Sequence, residues 1–351
     1  MRTGAGQRKL SRAMLVSVLM PVFNAAATLP GALASIRRQR GVELECVLVD
    51  DGSSDGSVAC LQREAALDPR LRVHAIEHRG IVGALQHGLE RCRGQYVARM
   101  DADDIMHSER LAAQVALLEA QPELAGAGCH VRLFPRLPPA QQARSEYERW
   151  LNSLHGANDV ARERFIECPL AHPTWMLRRE VFQRLGYRDM GWPEDYDLLL
   201  RLLGSGHALG VVPRRLLLWR DSPERLSRSS ETYAQARFVA VKAHHLASTW
   251  LARHRRYVLW GYGETGRALC RALQRYERHP QAIVEVHPGR LGQRIHGAPV
   301  IAPEQLLAAR RGPEGPLPVV VSVARSAPRA LVRAALERLE LREQHDFVCA
   351  A

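Results

Sequence analysis

The chain has 351 residues, which exceeds the usual size of a single domain and predicts two domains. No run approaches the ~20 apolar residues of a membrane-spanning helix, and the seven cysteines show no spacing typical of a zinc site or a disulfide framework. The formal net charge of +12 comes almost entirely from arginines spread along the chain without a nucleic-acid-binding motif, which disfavours nucleic acid as a partner.

Strand and helix patterns alternate along the first part of the chain, from Leu15 onward. Such alternation predicts a parallel sheet that is covered by helices on both faces. Ligands of open α/β sheets bind outside the carboxyl ends of the strands, so polar residues at those ends are candidate site residues. The predicted strands cover 16–20, 44–49, 72–76 and 96–100, and the predicted helices cover 28–39, 55–67 and 81–92.

Two acidic clusters follow the second and fourth predicted strands. The first is DDGSSD at 50–55, and the second is DADD at 101–104. Each cluster alone is ambiguous, because Asp and Ser commonly cap helices and Asp-Gly commonly forms a turn. Their joint occurrence at two strand ends is more specific. Carboxylate oxygens at such ends suit a divalent ion, Mg²⁺ or Mn²⁺, together with a nucleoside diphosphate.

Five segments, in this order, resemble the family 2 glycosyltransferases. The resemblance implies an inverting, nucleotide-sugar-dependent enzyme with the GT-A fold, and it covers roughly residues 15–230. The last two segments match the bacterial branch of that family. The segments are VLMPVFN at 18–24, VDDGS at 49–53, ARMDADD at 98–104, PLAHPTWMLRR at 169–179 and GWPEDYDLLLR at 191–201.

The resemblance implies a donor-binding role for the strand-end residues. Asp50 or Asp51 would hydrogen-bond the base, which is expected to be uracil. Asp103 would bind the Mn²⁺ or Mg²⁺ that bridges the diphosphate, and Asp101 would contact the ribose or the metal shell. The other implied donor-binding residues are Pro21, Val22, Phe23, Asn24 and His172. Arginines that could meet a phosphate are Arg79, Arg99, Arg225 and Arg228.

The resemblance also implies that Asp195 is the base that accepts the proton of the acceptor hydroxyl. Adjacent carboxylates, here Glu194 and Asp195, raise each other's pKa, which suits one of them to accept a proton. The alternative interpretation is that both residues only begin the helix 196–203, where acidic side chains interact favourably with the helix dipole. The two interpretations are compatible.

A second strand–turn–helix pattern begins at Tyr257, after a helical stretch predicted over 231–254. Its turn carries G-x-G-x-x-G, formed by Gly261, Gly263 and Gly266, and the next predicted strand, 282–286, contains an acidic residue, Glu285. The region resembles the small Rossmann-like domains of bacterial sugar acyltransferases, and no catalytic constellation accompanies it. A nucleotide or NAD ligand and a purely structural or dimerising role both stay open.

The sequence therefore predicts an α/β chain with a GT-A catalytic domain over 13–228, a helical connector over 229–254 and a Rossmann-like domain over 255–351. The leading hypothesis is an inverting glycosyltransferase that moves a sugar from a nucleoside diphosphate sugar, expected to be a UDP-sugar, to a hydroxyl of a glycan or glycolipid acceptor in bacterial surface polysaccharide synthesis.

Two hypotheses from other classes are a nucleotide-binding regulatory or scaffold protein with an inactive transferase domain, and an NAD-dependent oxidoreductase. We expect a cytoplasmic protein, because the cysteine pattern is that of reduced thiols. The excess positive charge suggests peripheral contact with acidic lipid head groups at the inner face of the cell membrane. A homodimer through the C-terminal domain is a further hypothesis.

Overall fold

The computed structural model describes residues 14–135, 141–222, 225, 230–313 and 315–351. This part of the chain forms two compact units, and neither is one continuous segment. The predicted domain boundaries after 228 and 254 divide the chain into consecutive pieces, and they stay predictions. The first unit takes its described residues from 1–144, 172–186 and 212–220, and the second takes them from 145–171, 187–211 and 221–351.

Strands and helices alternate over most of the described chain, including every element that the sequence predicted between 16 and 100. The strands are β1 (Leu15–Val22), β2 (Glu43–Asp51), β3 (Leu71–Ile76), β4 (Tyr96–Arg99), β5 (Ile105–Met106), β6 (Leu124–Phe134), β7 (Met176–Arg178), β8 (Ala208–Arg220), β9 (Arg256–Trp260), β10 (His279–Val284), β11 (Arg294–Ile295), β12 (Ala298–Ile301), β13 (Arg311–Gly312), β14 (Gly315–Pro316), β15 (Val319–Val321) and β16 (Phe347–Cys349). The helices are α1 (Leu29–Arg37), α2 (Ser57–Leu67), α3 (Gly80–Leu89), α4 (Arg110–Ala120), α5 (Gln141–Leu151), α6 (Ala157–Glu163), α7 (Arg179–Leu185), α8 (Glu194–Gly204), α9 (Gln235–His245), α10 (Glu264–Gln274), α11 (Leu306–Ala309) and α12 (Ser326–Arg338).

The first unit is built on a mixed sheet with the order β3-β2-β1-β4-β7-β6-β8-β5. The strands β3, β2, β1 and β4 are parallel, as predicted, and their register sets Val22 opposite Asp50. Parallel strands bring their carboxyl ends to one edge of the sheet, so the loops after β1, β2 and β4 lie at the same edge. The strands β7, β6, β8 and β5 continue the sheet with antiparallel pairs, which the local sequence patterns did not predict.

The core of the first unit lies on both faces of these parallel strands. Every residue of β1 after Leu15 and every residue of β2 after Glu43 is buried. Strands covered on both faces read as continuous apolar runs and not as alternating patterns, which is why the runs before the two acidic clusters contain so many Val and Leu residues.

The second unit contains a parallel sheet with the order β12-β10-β9-β15-β16, to which β11 adds one antiparallel pair. Taken in chain order, its parallel strands are arranged 3-2-1-4-5, so the direction of winding reverses between β9 and β15. Gly261 follows β9 with φ +93°, a conformation that favours glycine. A Cβ atom at Gly266 would lie 2.3 Å from the carbonyl oxygen of Gly261, so α10 can approach the turn only with glycine there.

The stretch predicted as helical over 231–254 is helical over most of its length, but it is not one continuous helix. A turn of 3₁₀ helix at Glu231–Tyr233 is followed by Ala234 in an extended conformation, then by α9 and by a π-helical turn at Leu246–Trp250. The hydroxyl of Thr249 donates to the carbonyl of His245 at 2.5 Å. Hydroxyl groups that bond to carbonyls of the preceding turn compete with the regular helical pattern, which explains the change of pitch near the end of the segment.

No helix in the described ranges is long and apolar enough to cross a membrane. All seven cysteines lie in the described ranges, and each is buried and free. Burial raises the pKa of the Cys129 thiol to about 11. Thiols in such surroundings are unreactive and contribute to the structure as small apolar side chains.

Candidate active site

The acidic turn after β4 gathers three carboxylates in the first unit. Oxygens from Asp101, Asp103 and Asp104 all lie within 4.8 Å of one another. Asp101 and Asp103 are partly exposed, whereas Asp104 is buried. Three carboxylate oxygens at this spacing match the oxygen ligands that Mg²⁺ and Mn²⁺ prefer. The sequence predicted Asp101 and Asp103 as ligands but not Asp104, although it is the last residue of the same DADD segment.

Two arginines hold this turn. The buried guanidinium of Arg99 forms an ion pair with the carboxylate of Asp101. Arg220, the last residue of β8, donates its backbone N–H to Asp104 at 2.7 Å and its Nε to the carbonyl of Asp103 at 2.8 Å. The guanidinium of Arg220 also lies 4.6 Å from the ring centre of Phe134. The role of Arg220 was missed because it lies 116 residues along the chain from Asp104.

His172 lies in the first unit, in a short 3₁₀ turn that precedes β7. Its ring is buried and lies 5.0 Å from the ring of Trp175. Burial, aided by the positive charge of Arg99, holds the pKa of His172 well below its ordinary value, so the imidazole is neutral at physiological pH. The carbonyl of Trp175 accepts a hydrogen bond from the backbone N–H of Arg99, which ties the His172 turn to the residues just before the acidic turn.

Asp50 and Asp51 end β2 side by side, but their carboxylates have different surroundings. Asp51 accepts a hydrogen bond from the backbone N–H of Arg79 at 2.7 Å, and its other oxygen lies 2.9 Å from Nδ1 of His78. Asp50 is 1% exposed, and its Oδ2 accepts from the backbone N–H of Ser53 at 3.1 Å. The Oδ1 atom of Asp50 has no hydrogen-bond partner within the described part of the chain. The structure thus separates two residues that the sequence left as equivalent candidates.

The loop after β1 carries the predicted residues Pro21, Val22, Phe23 and Asn24, and it is fastened to the loop after β2. Asn24 has φ +48°, and its side-chain oxygen accepts from the backbone N–H of Ser54 at 2.9 Å. Phe23 is 50% exposed, and its ring stacks on His78 with 4.5 Å between ring centres. An exposed aromatic surface therefore lies beside Asp51. His78 was missed by the sequence reasoning, although it directly precedes the arginine that was considered as a phosphate contact.

The second unit carries Glu194 and Asp195 in the first turn of α8. The carboxylate of Glu194 is buried and accepts a hydrogen bond from the hydroxyl of Tyr233 at 2.5 Å. Asp195 is more exposed, and its Oδ1 accepts from the backbone N–H of Tyr196 at 2.7 Å. Both residues begin the helix, as one interpretation predicted, and their different surroundings make Asp195 the more accessible carboxylate.

The glycine motif of the second unit has the expected strand–turn–helix context, with Gly263 directly before α10. The acidic residue that follows β10, Glu285, lies 3.1 Å from Arg290, and Arg290 also donates to the carbonyl of Tyr262 at 2.9 Å. Glu285 is therefore already engaged by an arginine.

Of the four arginines considered as phosphate contacts, Arg228 lies outside the described residues.

Comparison with known proteins identifies the class of enzyme. Glycosyl transferase family 2 matches residues 17–186. The amylovoran biosynthesis glycosyltransferase AmsE of Erwinia amylovora is 30% identical over 218 residues, which cover 61% of this chain and 79% of AmsE. The succinoglycan biosynthesis protein ExoO of Rhizobium meliloti (strain 1021) is 35% identical over 236 residues, covering 61% of this chain and 62% of ExoO.

A solved structure shares the fold. The crystal structure of S. aureus TarS 1–349 in complex with UDP superposes with a TM-score of 0.53 at 16% identity, and the match covers 75% of this chain and 72% of TarS. The fold and the relatives define a glycosyltransferase with the GT-A fold, which confirms the predicted α/β class. The chain belongs to glycosyl transferase family 2. The family match ends before the sheet of the second unit that begins with β9.

Proposed function

We propose that this glycosyltransferase moves a sugar from a nucleoside diphosphate sugar to a hydroxyl acceptor with inversion at the anomeric carbon. The observation that carries the proposal is the cluster of Asp101, Asp103 and Asp104 at the carboxyl end of β4, on the same sheet edge as Asp50. A sheet edge that presents several carboxylates suits a ligand whose own phosphates arrive together with a divalent cation.

The three clustered carboxylates would hold Mn²⁺ or Mg²⁺, with Asp103 as the main ligand. A bound cation would supply electrostatic stabilisation of the charge that develops on the departing diphosphate. Arg99 keeps Asp101 in one orientation through their ion pair, and Arg220 keeps the backbone of Asp103 and Asp104 in place. The ligand set is therefore organised before a donor arrives.

The base of the donor would be recognised at the ends of β1 and β2. The Oδ1 atom of Asp50, which has no hydrogen-bond partner among the described residues, would accept the imide N–H of a uracil. The half-exposed ring of Phe23, stacked on His78, offers a flat surface against which a base can pack. TarS, whose fold this protein shares, has been solved with UDP and with UDP-GlcNAc, which supports a UDP-sugar as the donor.

Asp195 would act as the base. The acceptor oxygen attacks the anomeric carbon, its proton passes to the carboxylate of Asp195, and the bond between the anomeric carbon and the diphosphate oxygen breaks. One displacement of this kind inverts the configuration, and the anomeric carbon gains oxocarbenium character on the way. Glu194, already bonded to Tyr233, would keep the first turn of α8 in place and would take no proton.

The names of the two relatives refer to the biosynthesis of bacterial polysaccharides, which supports a glycan or glycolipid acceptor. The 3-2-1-4-5 strand order and the turn at Gly261 support a Rossmann-like second sheet, for which we propose a structural or nucleotide-binding role. The contact between Glu285 and Arg290 argues against Glu285 as a ribose ligand. Contact with a membrane surface and a homodimer are further proposals.

Calorimetric titration with UDP, GDP and ADP, each with Mn²⁺ and with EDTA, tests the donor and metal assignments. We expect UDP to bind only with Mn²⁺, and Asp103→Asn to abolish this binding while the far-ultraviolet circular dichroism stays unchanged. Glu123→Gln, which alters an exposed acidic residue before β6, is the matched control and should bind like the wild type. Equal UDP affinity in Asp103→Asn and the wild type would contradict the proposed role of Asp103.

A further inference from the structure

Asp197 is a buried carboxylate in the first turn of α8, two residues after the proposed base. It is 2% exposed, and its Oδ2 accepts a hydrogen bond from Nε of Arg201 at 2.7 Å. Its Oδ1 lies 3.0 Å from Nε2 of His245 and accepts from the indole N–H of Trp192 at 3.3 Å. One carboxylate therefore joins α8, the end of α9 and the turn that leads into α8.

The charge state of Asp197 follows from these partners. Burial by itself raises the pKa of this carboxyl, but the hydrogen bonds from His245 and Arg201 outweigh burial and leave the pKa below its ordinary value. Asp197 is thus ionised at neutral pH. A buried carboxylate that loses one of its partners becomes costly, so the group strongly favours the arrangement in which all three partners are in place.

Two of these partners, Trp192 and His245, lie next to residues that contact the turn leading to Asp195. Trp192 immediately precedes Pro193 and Glu194, and its ring lies 5.3 Å from that of His244, the neighbour of His245. The carbonyl of Pro193 accepts the backbone N–H of Asp197 at 3.0 Å, which closes the first helical turn. Asp195 lies inside this turn, and its carboxylate is bonded to the backbone of the turn itself. The direction of the Asp195 carboxylate consequently follows the position of the helix start.

We infer that His245, acting through Asp197, is a positioning residue for the proposed base Asp195. This inference rests on the proposed function of Asp195. The carboxylate of Asp197 anchors the Trp192 turn to α9 and so holds the first turn of α8 where Asp195 faces its proton donor. Displacement of a reacting group by about 1 Å costs on the order of 10²-fold in rate, which makes such an anchor consequential.

Two variants separate positioning from general stability. His245→Ala removes the partner of Asp197, and His245→Gln keeps an N–H donor without the imidazole. His345→Ala, which alters a side chain that is 68% exposed, is the matched control. We expect His245→Ala to lower kcat about 10- to 100-fold, His245→Gln to recover most of the rate, and the KM for the donor to stay within about twofold of the wild type, because positioning acts on the proton transfer and not on donor binding.

Turnover is measured as UDP release from a panel of UDP-sugars, with p-nitrophenyl glycosides as acceptors. Hydrogen–deuterium exchange of residues 194–197 gives a second readout that needs no turnover. Faster exchange in His245→Ala, but not in His245→Gln or His345→Ala, is the expected result. Unchanged exchange at 194–197 in His245→Ala, or a kcat loss that His245→Gln does not reverse, would overturn the inference.

The double variant Asp195→Asn/His245→Ala distinguishes the inference from the proposed function. If His245 acts only through Asp195, the double variant loses no more turnover than Asp195→Asn alone. Normal turnover in Asp195→Asn would instead refute the proposed base. Additive losses in the double variant would show that His245 acts by another route, with the assignment of Asp195 intact.

Discussion

Two pairs of adjacent carboxylates in this protein differ sharply in their surroundings. In the first pair, Asp51 is bonded to the loop that follows β3, whereas Asp50 keeps an oxygen that no described residue engages. In the second pair, Glu194 is buried against Tyr233, and Asp195 is the more exposed member. In each pair, the two neighbours therefore differ in burial or in hydrogen bonding, although their chemistry is the same.

The proposed division between Glu194 and Asp195 leads to a prediction about turnover. Asp195→Asn should lower kcat by about 10²–10⁴-fold, the usual cost of losing a general base, with donor affinity near that of the wild type. Glu194→Gln should cost much less, because the amide oxygen can still accept from Tyr233. Steady-state kinetics with calorimetry of donor binding measures both, and the anomeric configuration of the product should be inverted. Retention of configuration would rule out the single-displacement mechanism.

At the scale of elements, the acidic turn depends on strands that are far apart in the chain. The turn follows β4, and Arg220 at the end of β8 bonds to its backbone. The strand β7 pairs with β4 on one side and with β6 on the other. The antiparallel half of the sheet thus supports the site that the parallel half presents.

The close packing of β6 on β7 leads to a prediction about stability. A Cβ atom at Gly126, in β6, would lie 2.2 Å from Cδ2 of Leu177 and 2.6 Å from the carbonyl oxygen of Met176. Gly126→Ala should therefore destabilise the protein by about 1–3 kcal/mol, the usual cost of overpacking. Gly31→Ala in α1, where no described atom lies within 4 Å of the added Cβ, should instead stabilise it by about 0.5–1 kcal/mol. Urea denaturation measures both changes, and equal midpoints in the two variants would contradict the packing argument.

At the scale of the whole molecule, segments remote in sequence share buried polar contacts within the second unit. The ammonium group of Lys242 in α9 donates to the carbonyl of Ile166 at 2.5 Å and to that of Ala350 at 3.4 Å. Arg333 in α12 lies 2.8 Å from the buried carboxylate of Glu163 in α6. These contacts join the segment 145–171 to α9 and α12, and they join α9 to the residue that follows β16. The C-terminal part of the chain therefore helps to stabilise α6 and α9.

Lys242 leads to a prediction about pH. Burial lowers its pKa from 10.5 to about 8, although the negative charge of Glu167 opposes the shift. The folded protein therefore binds this proton less tightly than the unfolded chain. The free-energy cost of burying the charged ammonium group is full below pH 8 and disappears as the pH rises towards 10.5. The free energy of unfolding of the wild type should rise between these values relative to that of Lys242→Met, by on the order of 3 kcal/mol.

Chemical denaturation of both proteins across this pH range measures the difference. Buried cysteines and tyrosines change the free energy of unfolding in the opposite direction over this pH range. Because they are common to both proteins, their effect cancels when one free energy of unfolding is subtracted from the other. A constant difference between the wild type and Lys242→Met across the range would mean that Lys242 is not charged and buried in the folded state.

The sequence by itself determined the local parts of this protein. An apolar run followed by an acidic turn, or by a glycine turn, is decided by short-range sterics and burial, so the first four strands, the Asp101–Asp104 turn and the turn at Gly261 were predictable. The family followed from the same segments. The antiparallel pairing was not predictable, because β7 has three residues and pairs with a strand about 80 residues earlier, for which no local period exists.

Only the tertiary structure decided which of the candidate side chains are engaged by other parts of the chain. Asp50 and Asp51 have the same chemistry. Their surroundings differ because His78 and Arg79 bond to Asp51, and Arg79 lies 28 residues along the chain from Asp51. Asp197 and His245 are 48 residues apart and meet only because α8 packs on α9. Contacts between distant segments depend on strand order and helix packing, which local residue preferences do not encode.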